Sequence, residues 1–239
     1  PFPNPPKGMV ESDGTVKIWD IASGKLLQTI SGTTNIVRTM DWSSDGKRIA
    51  VGLQGGMIQV LDVPGRKVLD AWQAHDIGVD GIRFLPGDQQ LISTGCDGSV
   101  RTWKTDGAAL LNQGVHSSCV GGLDLFPDGR HALTASFDGS AAIFDTQTGS
   151  TEALVGLQTG ALCASVIDHG KQALIYQQSG DALIFDVASK KIVATLREQT
   201  GGDVCATNAD QTLAVETRRH GADLWSLASR QHLAALTGP

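Results

Sequence analysis

The sequence lacks the short motifs that commonly place a nucleophile, a phosphate group or a metal ion. It contains no Gly-x-Ser-x-Gly nucleophile elbow, no His-Glu-x-x-His metal motif and no glycine-rich phosphate loop that opens a helix. Its six histidines show no metal-binding spacing either. From these absences we predict that the chain is not an enzyme and carries neither a cofactor nor a metal.

Positive charge and long apolar runs are also scarce. The 19 lysines and arginines are outnumbered by 25 aspartates and glutamates, which gives a net charge of −6. Nucleic-acid affinity comes mainly from cations that neutralise phosphates, and anionic membranes attract the same cations. No apolar run is long enough to predict a membrane-spanning helix. We therefore expect neither a nucleic acid nor a membrane as a partner.

One short stretch is present many times. The Asp13-Gly14 turn precedes Val16 and Ile18, which alternate with polar residues as in a half-buried strand that ends at Trp19. Apolar residues in register with Trp19 recur at intervals of 40 to 42 residues. They are Leu61, Trp103, Phe144, Phe185 and Trp225. The turn keeps the same period, at Gly55-Gly56, Asp97-Gly98, Asp138-Gly139, Ser179-Gly180 and His220-Gly221.

A repeat of about 40–45 residues with four short strands and a closing aromatic-Asp pair is typical of propeller blades. The sequence resembles the WD-repeat (WD40) family over nearly its whole length, although only Trp19-Asp20 is a literal Trp-Asp pair. The resemblance implies an all-β propeller of four-stranded antiparallel blades. Residues 9–239 would form this domain, after a proline-rich lead-in at residues 1–8.

The repeat register gives five complete units and one partial first unit, hence about six blades. Strands are predicted, for example, over Arg48–Leu53 and Ser99–Trp103, and no helix longer than one turn is predicted. Two interpretations of the partial unit stay open: a piece of a larger propeller, or a six-bladed ring with one incomplete blade. We favour the first, because unpaired inner backbone is costly.

The four cysteines show no Cys-x-x-Cys pair, which argues against a zinc ribbon or a redox motif. We interpret them as small apolar residues in strands or turns, with a disulfide between neighbouring inner strands as the alternative. Free cysteines are compatible with the cytosol, which we slightly favour as the compartment. They are Cys96, Cys119, Cys163 and Cys205.

The resemblance also implies a hydrogen-bonded tetrad of His75, Ser93, Asp97 and Trp103, which would join the strands of the third blade. A histidine, a hydroxyl and a carboxylate are also the parts of a catalytic triad, but the spacing is that of the family's structural network. The fourth unit keeps a version of it in His116, Thr134, Asp138 and Phe144. The other units have Thr33, Leu157 and Glu198 at the histidine position. We expect blade 3 to be the most firmly held, and blades 5 and 6 the least.

In the WD-repeat family the loops before each inner strand and after each second strand open on one face. Phe137 lies on such a loop tip, where an exposed aromatic residue can anchor an interface; the alternative is packing against a neighbouring loop. Arg218 and Arg219 place cations at the corresponding tip of the last unit. They would either bind an anionic group or form a solvated turn. The remaining candidates for partner binding are Gln54, Gln178 and Asp76.

We therefore predict a non-catalytic scaffold that presents these loops to a protein or peptide partner, within a larger chain or complex. One alternative is a regulatory or sensor module of a multidomain protein whose catalytic part lies elsewhere. The other is an enzyme that acts at the central channel, where Asp41, Arg83 and Asp124 occupy matching positions on the inner strands. Their mixed charges fit salt bridges better than a hydrolytic pair.

Overall fold

The computed structural model describes residues 14–197, 205–208, 210–218 and 221–237. Within these ranges the chain forms 22 β-strands and one short 3-10 turn at Asp168–Gly170. The strands make five four-stranded antiparallel sheets and one two-stranded sheet, named blades 1 to 6 in chain order. The predicted all-β propeller architecture is confirmed. The lead-in at residues 1–8 lies outside the described residues.

The first three blades contain ten strands. In blades 2 and 3 the chain runs from an inner strand to an outer strand, and each strand pairs with the next. Blade 1 contains β1 (Thr15–Trp19) and β2 (Leu26–Ser31). Blade 2 contains β3 (Val37–Trp42), β4 (Arg48–Leu53), β5 (Met57–Asp62) and β6 (Lys67–Gln73). Blade 3 contains β7 (Val79–Phe84), β8 (Gln90–Gly95), β9 (Ser99–Lys104) and β10 (Ala109–Gly114).

Blades 4 to 6 repeat the same order. Blade 4 contains β11 (Gly122–Leu125), β12 (His131–Ala135), β13 (Ala141–Asp145) and β14 (Thr151–Leu154). Blade 5 contains β15 (Ala161–Ile167), β16 (Gln172–Gln177), β17 (Asp181–Asp186) and β18 (Lys191–Arg197). Blade 6 contains β19 (Cys205–Thr207), β20 (Leu213–Arg218), β21 (Gly221–Ser226) and β22 (Gln231–Thr237).

The second and third strands of blades 2 to 5 are apolar over most of their length. They are buried on both faces, because another blade covers each side of the sheet. Outer strands such as β6 and β10 are mostly exposed. Five apolar clusters form the core, one at each contact between successive blades. Among the described residues, no helix is both long and apolar enough to cross a membrane.

Blade 1 shows what an uncovered blade face looks like. Trp19 is 54% exposed, whereas its counterparts Trp103 and Trp225 are 6% and 7% exposed. Those two residues pack against the preceding blade, and the described residues place no blade over Trp19. Trp42 on β3 is exposed in the same way, whereas its counterpart Phe84 is buried against blade 2. Burial of these positions therefore depends on the neighbouring blade.

The inner strands β3, β7, β11, β15 and β19 contact one another in chain order. They border a cavity of about 880 Å³ into which Arg83 and Asp124 project. Asp124 Oδ2 accepts a hydrogen bond from the backbone N–H of Val166 on the next blade, at 2.8 Å. Asp41 Oδ2 accepts one from Phe84 N–H in the same way, also at 2.8 Å. These two carboxylates thus connect adjacent inner strands.

The structure pairs all four cysteines, so our interpretation of them as free apolar residues is wrong. Cys96, after β8, is bonded to Cys119, which precedes β11 in the next blade. Cys163 on β15 is bonded to Cys205 on β19, which is the alternative we left open. Their separation of 42 residues is one repeat, so the two cysteines lie side by side on adjacent inner strands. Because no cysteine is free, the cysteines give no reason to favour the cytosol.

We expect the double variant Cys163→Ala, Cys205→Ala to lower the free energy of unfolding by about 2–4 kcal/mol. The bond closes a loop of 42 residues and restricts the unfolded chain. Urea denaturation under non-reducing conditions measures the change. Replacement of the exposed Gln147 by Ala is the control, and an unchanged midpoint for the double variant would contradict the prediction.

Candidate interaction site

The structure brings His75, Ser93, Asp97 and Trp103 into one hydrogen-bonded chain. Trp103 Nε1 donates to Ser93 Oγ at 2.9 Å, and His75 Nε2 lies 2.8 Å from the same oxygen. His75 Nδ1 lies 3.0 Å from Asp97 Oδ1. The pattern is satisfied when His75 Nδ1–H donates to Asp97 and the Ser93 hydroxyl donates to Nε2. The chain joins the loop before β7 to strands β8 and β9 and to the turn between them.

Two further side chains hold Asp97, and sequence analysis missed them. Ser99 Oγ donates to Asp97 Oδ1 at 2.6 Å, and Arg101 Nη2 pairs with Oδ2 at 3.0 Å. Burial opposes the charge of Asp97, but hydrogen bonds from Ser99 and His75 hold the pKa of the carboxyl well below its usual range. The recurrence of Asp-Gly-Ser at residues 97–99 and 138–140 was the signal available in the sequence.

Blade 4 has a variant of the same network. His116 Nε2 lies 2.9 Å from Thr134 Oγ1, and Nδ1 lies 2.7 Å from Ser140 Oγ. Asp138 Oδ2 is 3.7 Å from Nδ1, so the serine is the nearer partner of the ring. Phe144 fills the position of Trp103 without a donor. Burial lowers the pKa of both His75 and His116, and each ring is accordingly neutral near pH 7.

Blades 2 and 5 lack the histidine of this network, and blade 5 shows a side-chain contact in its place. In blade 5, Gln177 Oε1 accepts hydrogen bonds from the backbone N–H of Gln158 at 2.7 Å and of Thr159 at 3.3 Å. In blade 2, the buried Thr33 Oγ1 and Gln59 Oε1 have no hydrogen-bond partner among the described residues. Glu198, at the histidine position of the last unit, lies outside the described residues. Our ranking of the blades stays a prediction.

Four loop tips at matching positions of the repeat share one backbone contact. The N–H of each tip residue donates to the carbonyl oxygen at the start of the inner strand, at 2.8–3.1 Å. The pairs are Gln54 with Ile36, Cys96 with Gly78, Phe137 with Cys119 and Gln178 with Gly160. This common contact places the tips on one face. Arg219 lies outside the described residues, and of Arg218 only the backbone, at the end of β20, is described.

Phe137 is 42% exposed, and its ring borders the mouth of the central cavity above Gly121. Ile77, from the loop before β7, is 57% exposed and borders the same mouth. Asp76 is exposed beside Ile77, and its N–H donates to Asp97 Oδ2 at 3.2 Å. We call Asp76, Ile77 and Phe137 the rim. Gln54 is half-buried and Gln178 exposed, and neither of them, nor Asp76, borders the cavity itself.

The charged groups inside the cavity are mostly bound to one another or to the backbone. Arg38 Nη2 pairs with Asp80 Oδ1 at 2.6 Å, and Arg83 donates to the carbonyl of Ile82 at 2.8 Å. Burial raises the pKa of both Asp80 and Asp124, and the nearby arginines oppose this rise. Asp124 Oδ1 also accepts the backbone N–H of Leu125 at 3.0 Å.

Comparison with known proteins gives three findings. The model of the family "WD domain, G-beta repeat" matches residues 24–62, 66–104 and 110–145. The chain is 22% identical to Autophagy-related protein 16 of Arabidopsis thaliana over 226 residues, which is 90% of this chain and 44% of that protein. It is 28% identical to Jouberin of Rattus norvegicus over 143 residues, which is 56% of this chain and 14% of that protein. The chain thus spans less than half the length of both curated relatives.

We expect Ser93→Ala to destabilise the protein by about 2–4 kcal/mol. The substitution leaves Trp103 Nε1 and His75 Nε2 without their shared partner in a buried position, and each such group costs about 1–3 kcal/mol. Urea denaturation followed by tryptophan fluorescence measures the loss. Ser179→Ala, on the exposed turn of blade 5, is the control. A loss no larger than that of the control would contradict the assigned contacts.

The contribution of His75 and His116 to stability should fall as the pH is lowered from 7 to 5. The unfolded chain binds protons at histidines near pH 6.5, whereas the pKa of His75 and of His116 is lowered by burial in the folded protein. Each therefore weakens folding by at most about 1.4 kcal/mol per pH unit below 6.5. His116→Gln should flatten this slope in urea titrations at several pH values. Equal slopes for His116→Gln and the natural protein would refute the assignment.

Proposed function

The chain is a WD-repeat β-propeller, and on that basis we propose that it is a non-catalytic scaffold that presents one face to a protein or peptide partner. The proposal rests mainly on the exposed apolar side chains of the rim. Two apolar side chains, Phe137 and Ile77, are about half exposed beside the mouth of the cavity. Exposed apolar residues at a concave site are typical of an interface anchor.

The loops that carry the rim support this function because they are already ordered. Phe137 is held through its backbone N–H by Cys119, and Asp97 holds the N–H of Asp76. A loop that is ordered before binding loses little conformational entropy when a partner arrives. The tetrad of His75, Ser93, Asp97 and Trp103 serves the same purpose in this proposal: it positions a loop and does no chemistry.

A catalytic function at the channel has less support. Catalysis by two carboxylates requires oxygens that are free to exchange protons with a substrate. Asp41 Oδ2 and Asp124 Oδ2 each accept a backbone N–H of the next blade instead. Their elevated pKa follows from burial at a contact between blades, which is also where structural carboxylates are found.

A second candidate is a recognition or regulatory module within a longer protein. The match to Autophagy-related protein 16 covers 44% of that protein, and the match to Jouberin covers 14% of it. In both relatives the similar region is thus one part of a longer chain. In this candidate function the same rim would bind another segment of the longer protein or a regulatory partner.

Capture of partners from a lysate of the source organism tests the scaffold. We expect Phe137→Ala to weaken retention of a specific protein by about 30-fold, equivalent to about 2 kcal/mol for loss of an interface anchor. Leu110→Ala is the matched control, because Leu110 is 40% exposed on the outer strand β10. Arg219→Ala tests the cationic tip separately. Equal loss with Phe137→Ala and Leu110→Ala, or loss only with Leu110→Ala, would contradict the proposed face.

A further inference from the structure

A carboxylate and two sulfur atoms meet in the wall of the central cavity. An oxygen of Asp80 and the Sγ atoms of Cys96 and Cys119 all lie within 4.8 Å of one another. Asp80 is on the inner strand β7, Cys96 follows β8 of the same blade, and Cys119 precedes β11 of the next blade. All three residues border the cavity. The cluster is therefore reachable from solvent at the contact between blades 3 and 4.

Only one oxygen of the Asp80 carboxylate has a partner among the described residues. Its side chain is 9% exposed, and Oδ1 pairs with Arg38 Nη2 at 2.6 Å. Oδ2 is buried and has no hydrogen-bond partner among the described residues. A buried polar atom without a partner costs about 1–3 kcal/mol, so its retention needs a reason. Arg38 holds one oxygen and leaves Oδ2 without a partner, in a carboxylate that has an oxygen within 4.8 Å of both sulfurs.

We propose that reduction of the Cys96–Cys119 bond creates a site for a divalent cation of the zinc type, bound by both sulfurs and by Asp80 Oδ2. Thiolates and carboxylates are both ligands of Zn²⁺, and water from the cavity completes the fourth position. Arg38, on the other oxygen, is the outer contact that orients a metal-binding carboxylate. The separation of 23 residues between the cysteines hides this site from a search for closely spaced ligands.

The chemistry requires a reductant, and a small dithiol supplies it. The dithiol gives two electrons and two protons to the Sγ–Sγ bond, which breaks into two thiols while the dithiol closes into its own disulfide. Zn²⁺ then replaces the two thiol protons, which pass to water in the cavity. The metal takes over the link between blades 3 and 4 that the disulfide made.

The second disulfide provides an internal control. Cys163 and Cys205 border the same cavity, so a reductant reaches both bonds by the same route. The neighbour of Cys205 Sγ is the hydroxyl of Ser165, at 3.9 Å. Among the described residues, no carboxylate or imidazole forms a three-ligand cluster with this pair. Two thiols alone bind a metal more weakly than two thiols with a carboxylate.

The test uses the whole chain, reduced with a phosphine in metal-free buffer and titrated with Co²⁺ as a spectroscopic substitute for Zn²⁺. We expect a thiolate-to-cobalt charge-transfer band that saturates at one equivalent, and no band for the oxidised protein. The double variant Cys163→Ser, Cys205→Ser should keep the band, whereas Cys96→Ser, Cys119→Ser should lose it. Asp80→Asn should weaken binding at least about tenfold, and Asp70→Asn, at an exposed carboxylate on the outer strand β6, should not.

Competition with a chromogenic chelator should rank the natural protein and its variants in the same order of affinity for Zn²⁺. Circular dichroism shows whether each variant is folded. If Asp80→Asn does not fold, Asp80→Glu, which keeps the carboxylate, should bind and Arg38→Met should weaken binding. The proposal is overturned if the reduced protein gives no band or if the band follows Cys163 and Cys205. It is equally overturned if folded Asp80→Asn binds as tightly as the natural protein.

Discussion

Each blade buries its apolar faces only against the blades beside it, and the rest of the structure depends on this constraint. A four-stranded sheet of this size has no interior of its own, so the core divides into five clusters, one at each contact between blades. The contrast between the buried Trp103 and the exposed Trp19 shows the consequence directly. An apolar residue at this position is stabilising only where a preceding blade covers it.

Polar contacts fix the register between blades, which apolar packing alone does not determine. Apolar faces are not directional, and the register between blades needs contacts with fixed geometry. Asp41 and Asp124 supply such contacts at the inner strands, each by accepting a backbone N–H of the next blade. The tetrad around Ser93 supplies them within a blade, and the two disulfides supply covalent links between blades. The ordered loops of the rim follow from these contacts, and the proposed interaction face follows from the loops.

The repeat period could be read from the sequence because turns and closing aromatic residues keep one register. It predicted the β4 strand at Arg48–Leu53 without error, and it aligned the loop tips that share one backbone contact. It did not reveal the pairing of Cys96 with Cys119, because their separation of 23 residues is not one repeat and neither residue lies on an inner strand. Applying the same register to the cysteines would have placed Cys163 beside Cys205. The sequence could not point to Asp80 for a different reason. Its Oδ2 atom is buried and lacks a partner only because of how the blades pack together.

Native-state hydrogen exchange tests most directly whether the face is a rigid platform, because it reports the opening of individual backbone hydrogen bonds. The amides of Gln54, Cys96, Phe137 and Gln178, which lie on loop tips, should exchange as slowly as neighbouring strand amides. Blade 3 should open least. Rapid exchange at these four amides, with slow exchange in the strands beside them, would contradict the account, because the loops would then be mobile on a rigid propeller.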